Sequence, residues 1–192
     1  MKTMDPASEP ASLPVYGPHA APEITVVLPT YNERDNVPVA IERVAKALEG
    51  HLWEIIVVDD DSPDGTSDVA NAISERDGRV RCIRRVGRRG LSGACVEGMI
   101  AAASPIVAVM DSDLQHDETI LPKMLAAIKG GSADIAVGSR YVDGGASTEG
   151  LSKTRQAGSR LANGLARVLL GVRLNDPMSG FFMLRREMVE RL

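Results

Sequence analysis

An α/β fold built on a mainly parallel sheet is what the sequence predicts, and three observations lead there. Short apolar, β-branched runs recur at residues 24–28, 54–58, 80–84, 106–110 and 134–137. Their starts lie roughly 26–30 residues apart, about the length of one strand–helix–strand unit. The stretches between them carry helical apolar spacing, and alternating strands and helices imply a sheet covered on both faces. Polar clusters also stand directly after the first, second and fourth runs, where ligands bind in open α/β sheets: outside the carboxyl ends of the strands.

Taken in order, residues 1–22 hold five prolines (Pro6, Pro10, Pro14, Pro18, Pro22) among Ala, Ser and Glu. Such a segment cannot bury a core and reads as a disordered tail, leaving residues 23–192 as one domain. After the first strand, Asn36 is placed to cap a helix with Val37 and Pro38 in its first turn and Ile41, Val44, Ala45 and Leu48 on its apolar stripe. Thr66 or Ser67 opens a second helix carrying Val69, Ala70 and Ile73. A third, rich in small residues, spans about residues 92–103, and a fourth about 118–129. Residues 152–172 read as a further helix with Leu161, Leu165, Val168, Leu169 and Val172 on one face. The chain stops at Leu192 inside what reads as a last helix beginning after Phe182.

Composition removes several function classes. With 192 residues the chain suits one domain, and 44% hydrophobic with 25% charged residues is ordinary for a globular protein. Aromatics at 3% and a formal charge of −4 argue against nucleic acid as a partner, so any substrate phosphate must be met by a few placed arginines. Cys82 and Cys95 show no CxxC spacing and read as buried or semi-buried thiols of a reducing compartment. No apolar run approaches about eighteen residues, and the N-terminus lacks the pattern of a signal peptide.

The clusters point to chemistry. They are Pro29-Thr30-Tyr31-Asn32-Glu33, then Asp59-Asp60-Asp61-Ser62-Pro63-Asp64-Gly65, then Asp111-Ser112-Asp113. Each alone could be turn residues; three on one rim make a site. Asp111 and Asp113 flank Ser112 at a strand end, where residues i and i+2 face one side. Two carboxylates that close repel unless a cation or proton sits between them, and a hard ion such as Mg²⁺ or Mn²⁺ suits oxygen ligands. Gln115 could add a carbonyl oxygen, whereas His116 reads as an exposed bystander. Neither GxGxxG nor GxxxxGK[ST] occurs, so a nucleotide would be held by side chains and a metal.

Together with Gly138-Ser139-Arg140-Tyr141, these clusters resemble the family-2 glycosyltransferases, and within them the dolichol- or polyprenol-phosphate mannose synthases. The similarity covers about residues 23–192. It implies a GT-A fold, a nucleoside-diphosphate sugar donor such as GDP-mannose, inversion at the anomeric carbon, and a polyprenyl or dolichyl phosphate acceptor. By position, Pro29, Tyr31 and Glu33 would line the nucleoside pocket, and Asp59 and Asp60 would contact base and ribose. Asp111, Asp113 and Gln115 would hold the metal (Mg²⁺ or Mn²⁺) and the diphosphate, and Arg140 a phosphate; Asp113 and Arg140 would serve catalysis directly. Arg155 and Ser159, one helical turn apart, match the positions that hold the acceptor's phosphate. Asp61 and Ser92 depart from the family's usual Asn and Gly.

Two alternatives stay open: a family-2 transferase with another donor such as UDP-glucose or a sugar-hydroxyl acceptor, for which Asp176 is the candidate base, and a nucleotide-sugar-binding module without turnover. Relatives continue into membrane-spanning segments or use an integral-membrane partner. The expectation is therefore a cytoplasmic domain, peripheral at the cytoplasmic face of the membrane, either cut short of its anchor or served by a separate one.

Overall fold

A computed structural model of the chain describes residues 21–138 and 180–190. The expected tail, the helix over 152–172 and Ser139, Arg140, Tyr141, Arg155, Ser159 and Asp176 lie outside the described residues, apart from the tail's last two positions.

The strands are β1 (Ile24–Thr30), β2 (Trp53–Asp59), β3 (Val80–Arg84), β4 (Ile106–Val109), β5 (Ile135–Val137) and β6 (Phe182–Arg185), in the sheet order β3-β2-β1-β4-β6-β5. The first four pair in parallel, with Thr30 opposite Asp59 at the carboxyl end of the β1–β2 ladder. β6 runs antiparallel between β4 and β5, placing Phe182 opposite both Val109 and Val137. β1 and β2 are buried along all seven residues, as strands covered on both faces must be.

Period-two alternation sorts the core into two layers. Ile24, Val26, Leu28, Ile55, Val57, Ile106 and Ala108 meet α1 (Asn36–Ala47), α2 (Thr66–Ser74) and α4 (Leu121–Lys129) on one face. Val27, Ile56, Val58, Val107 and Val109 meet α3 (Leu91–Ala101) and the short α5 (Glu187–Glu190) on the other. Gly98 lets α3 approach closely, since a Cβ there would stand 2.9 Å from Val58 Cγ2 and 3.1 Å from Val27 Cγ2.

Two expectations need correction. Residues 182–185 form a strand, and of the described residues after it only 187–190 are helical. The run Phe-Met-Leu-Arg fills the gap between β4 and β5, where Phe181, Met183 and Leu184 are buried; a short apolar run does not choose its own secondary structure. Asn36 is the first helical residue and not the cap: Asp35 precedes it without a side-chain cap bond. The Asn36 side chain instead donates to Glu33 Oε2 at 2.6 Å, and the Glu33 carbonyl accepts from Asn36 N and Val37 N.

Candidate functional site

The loops after β1, β2 and β4 meet on one rim of the sheet, tied by side chain-to-backbone bonds. Asn32 N donates to Ser62 Oγ at 2.9 Å and Glu33 N to Thr66 Oγ1 at 3.0 Å, joining the first loop to the second. Ser112 Oγ, buried, donates to the Pro29 carbonyl at 3.3 Å, joining the first to the third. Each loop also contains one non-glycine residue in the left-handed region, Asn32 (φ 59), Asp61 (φ 58) and Leu114 (φ 61), and no other non-glycine among the described residues does so. Left-handed backbone is unfavourable for most side chains; Asn and Asp tolerate it best, and a bulky apolar one such as Leu does not. Strain gathered on one rim marks a place the fold shapes at a cost.

The acidic pair after β2 divides in role. Asp59 is 0% exposed. Its carboxylate accepts from Ser62 N at 3.0 Å, Thr30 Oγ1 at 3.3 Å, and the hydroxyls of Ser62 and Ser67. With those donors it organises the turn between β2 and α2 from beneath. Asp60 is buried beside Arg85, whose Nη1 pairs with its Oδ1. Asp60 Oδ2 accepts from Gly90 N at 2.6 Å. Arg85, itself only 7% exposed, also reaches the Gly90 carbonyl (3.2 Å) and Glu97 Oε2 (3.1 Å). Arg88 braces the other Glu97 oxygen at 3.0 Å. The 86–90 loop is thereby fastened to the carboxyl end of β2.

At the mouth of this loop, Tyr31 is 45% exposed, and the Arg89 guanidinium lies 4.8 Å from its ring centroid. That distance is within cation–π range. Pro29 is buried within β1, and half-buried Glu33 is engaged in starting α1. Beside them, a cavity of about 400 Å³ is lined by Arg34, Ser62, Asp64, Gly65, Asp68 and Arg84 among others. Burial works upward on the Asp64 carboxyl, but the Thr66 hydroxyl and the Thr66 and Arg34 backbone N–H groups outweigh it and hold the carboxyl below its usual range.

After β4, the Asp111 side chain is 37% exposed and pairs with His116 Nε2 at 3.6 Å. Asp113 Oδ1 accepts from Gln115 N at 3.2 Å, which curls the loop back on itself. Among the described residues no group of three His, Cys, Asp or Glu side chains is assembled as a metal cage. The donor set nevertheless fits a hard divalent cation that keeps substrate or water oxygens in its remaining positions. Asp111 has no lysine or arginine partner among the described residues, and a second carboxylate and an amide follow at alternate positions of the same loop.

Two contributors escaped the sequence. Arg85 sat unnoticed in an arginine-rich run. His116 is no exposed bystander: its side chain is 8% exposed and packs on Phe181. The thiols are free and buried or half-buried. Burial pushes the Cys95 thiol up to about 12 and, helped by the Asp59 charge, the Cys82 thiol up to about 11.

Against known proteins, the model for glycosyl transferase family 2 matches residues 25–192. A dolichol-phosphate mannosyltransferase of Pyrococcus furiosus is 45% identical over 88% of this chain and 47% of its own length. A polyprenol monophosphomannose synthase of Mycolicibacterium smegmatis is 38% identical over 87% of this chain and 63% of its own. The chain thus spans about half to two-thirds of the length of these relatives. Among solved structures, a Pyrobaculum calidifontis mannosyltransferase in complex with GDP-Man and Mn²⁺ superposes with TM-score 0.59 at 18% identity, covering 90% of this chain and 47% of the other. A Mycobacterium tuberculosis glucosyl-3-phosphoglycerate synthase gives 0.58 at 23%, covering 86% and 57%. At such identities the likeness speaks for the fold, which is that of the GT-A glycosyltransferases.

Proposed function

The chain belongs to glycosyl transferase family 2, and on that premise we propose that it moves a sugar, with inversion, from a nucleoside-diphosphate donor to a polyprenyl or dolichyl phosphate. The donor we assign is GDP-mannose, because the two curated relatives are named for mannose transfer and the superposed Pyrobaculum calidifontis structure holds GDP-Man. The observation that carries the reading is the joining of three strained loops on one rim, with an acidic pair on each side of β1.

In this reading Tyr31 and Arg89 flank the entrance to the nucleoside pocket, and Pro29 and Glu33 shape its floor. Asp60 presents its remaining lone pairs to base and ribose, and Asp59 acts through the turn it organises. Asp111, Asp113 and Gln115 would hold Mg²⁺ or Mn²⁺, whose chemistry is to neutralise charge on the departing diphosphate. Arg140 would bind a phosphate, and Arg155 with Ser159 would take the acceptor's phosphate.

A phosphate monoester has a second pKa near about 6, so the attacking oxygen is largely deprotonated at neutral pH. That oxygen bonds to the anomeric carbon while the bond from carbon to the diphosphate oxygen breaks, and the nucleoside diphosphate leaves with the electron pair. No side-chain base is needed; positioning lowers the barrier. No helix among the described residues is long and apolar enough to cross a membrane. We propose attachment at the cytoplasmic membrane face, through an anchor elsewhere in the protein or in a partner.

Radiolabelled transfer from GDP-mannose, UDP-glucose and other donors, with and without a polyprenyl phosphate, tests the reading. Label entering the organic phase only from GDP-mannose and only with the lipid phosphate is expected. Transfer solely to a sugar hydroxyl, or binding of donor without turnover on any acceptor, overturns it.

A further inference from the structure

The Asp111 carboxylate stands against a wall that the sequence did not announce. Gly180, just ahead of β6, has no side chain where one would collide with that carboxylate. A Cβ there would overlap Asp111 Oδ2 and lie 2.5 Å from Cγ and 2.8 Å from Oδ1. The next residue, Phe181, is 1% exposed and pins this corner: its carbonyl accepts from Gly138 N at 2.9 Å. The His116 ring lies on the Phe181 ring, centroids 5.5 Å apart at 55°, and brings Nε2 to 3.6 Å from Asp111 Oδ2.

The chain works to put His116 there. Leu114 takes its left-handed conformation two residues earlier. One residue later, Asp117 Oδ1 accepts from Thr119 N at 3.0 Å and opens the 3-10 turn Glu118–Ile120. At 3.6 Å the imidazole makes no hydrogen bond with the carboxylate. It acts by shape and polarity, closing one side of the carboxylate while Gly180 sets how far back it sits. An aspartate side chain with free rotation would offer its oxygens in many directions; this one is confined.

We propose that His116 and Gly180 are positioning residues that hold the Asp111 carboxylate in the orientation in which it meets a divalent cation. This rests on the reading of Asp111 as a metal ligand. Residues behind metal ligands characteristically change affinity by about 10–100-fold when altered.

Mn²⁺ binding, followed by the electron paramagnetic resonance of the free ion without any sugar donor, tests it on the whole chain. His116→Ala and Gly180→Ala are each expected to weaken Mn²⁺ by about tenfold or more. His116→Gln, which keeps a polar planar group against Phe181, should recover part of the loss. Thermal melting reports whether each variant folds, and if Gly180→Ala does not, the two His116 variants decide. Wild-type Mn²⁺ affinity in folded His116→Ala, alongside loss of binding in Asp111→Asn, overturns this inference and leaves the metal reading standing. If Asp111→Asn binds Mn²⁺ as the unchanged chain does, or the unchanged chain binds none, the metal reading falls and this inference with it.

Discussion

Replacing Arg85 with Met is the sharpest probe of how the rim is held. Arg85 and Asp60 are 7% and 9% exposed at the side chain, so their pairing is shielded from solvent. Met keeps most of the volume of the stem and deletes the guanidinium. The change leaves the Asp60 charge buried with one neutral donor, Gly90 N, and frees the Gly90 carbonyl and one face of Glu97. Removing one partner of a buried pair costs about 3–5 kcal/mol. Against a total of about 5–15 kcal/mol that is a large share. For a chain of this size it lowers Tm by about 6–20 °C. Asp60→Asn in the same background removes the stranded charge and still accepts from Gly90 N, so the double variant should be more stable than Arg85→Met alone. Urea unfolding of the two single variants and the double variant yields the coupling, expected at about 2 kcal/mol or more. A cost below about 1 kcal/mol for Arg85→Met, or additive single effects, would falsify the claim that this pair fastens the 86–90 loop to β2.

Other expected outcomes concern the metal, the acceptor and the thiols. EDTA should abolish transfer and Mg²⁺ or Mn²⁺ restore it, and Asp113→Asn should lose most activity with its melting curve unmoved; full activity in EDTA sinks the metal assignment. Arg155→Ala should raise the acceptor KM or cut kcat by about ten- to a hundredfold, the worth of a charge-assisted bond. Donor affinity should hardly change, and Asp176→Asn should do little; a silent Arg155→Ala with a dead Asp176→Asn would point to a sugar-hydroxyl acceptor. Both thiols are raised in the fold, so their stabilising share is complete below the ordinary value of 9.0 and is lost as pH climbs towards about 11 and about 12. At pH 8 a thiol reagent should therefore label the native chain far more slowly than the urea-unfolded one, and equal rates would contradict the burial.

The parallel core was legible because burial on both faces leaves unbroken apolar runs, and the 3.6 spacing of Val37, Ile41, Val44 and Leu48 needs no partner to be seen. β6 was not, because what makes residues 182–185 a strand is the vacancy between β4 and β5, a fact of distant residues. At the rim, the clusters announced themselves through residue type and position after strands. Arg85 did not, since its partner Asp60 lies 25 residues away and an arginine among arginines reads as solvated. The inward duty of Asp59 does carry a local signal: serines three and eight residues on, able to bond back to it. His116 had none; its burial depends on Phe181, 65 residues later in the chain.

The insertion of β6 between β4 and β5 also sets an order of events on the ribosome. Once residues up to Val109 have left the exit tunnel, β1 to β4 can assemble by successive right-handed crossovers, each strand meeting one already made. β5 emerges next with no neighbour to receive it, because its only ladder among the described residues is with β6. Until residues 182–185 emerge, the flank of β4 lacks the one partner it has on that side among the described residues, and an unpaired edge can capture a strand from another chain. A translational pause that holds residues 182–185 inside the tunnel would prolong that exposure, and one that comes after they have emerged would not.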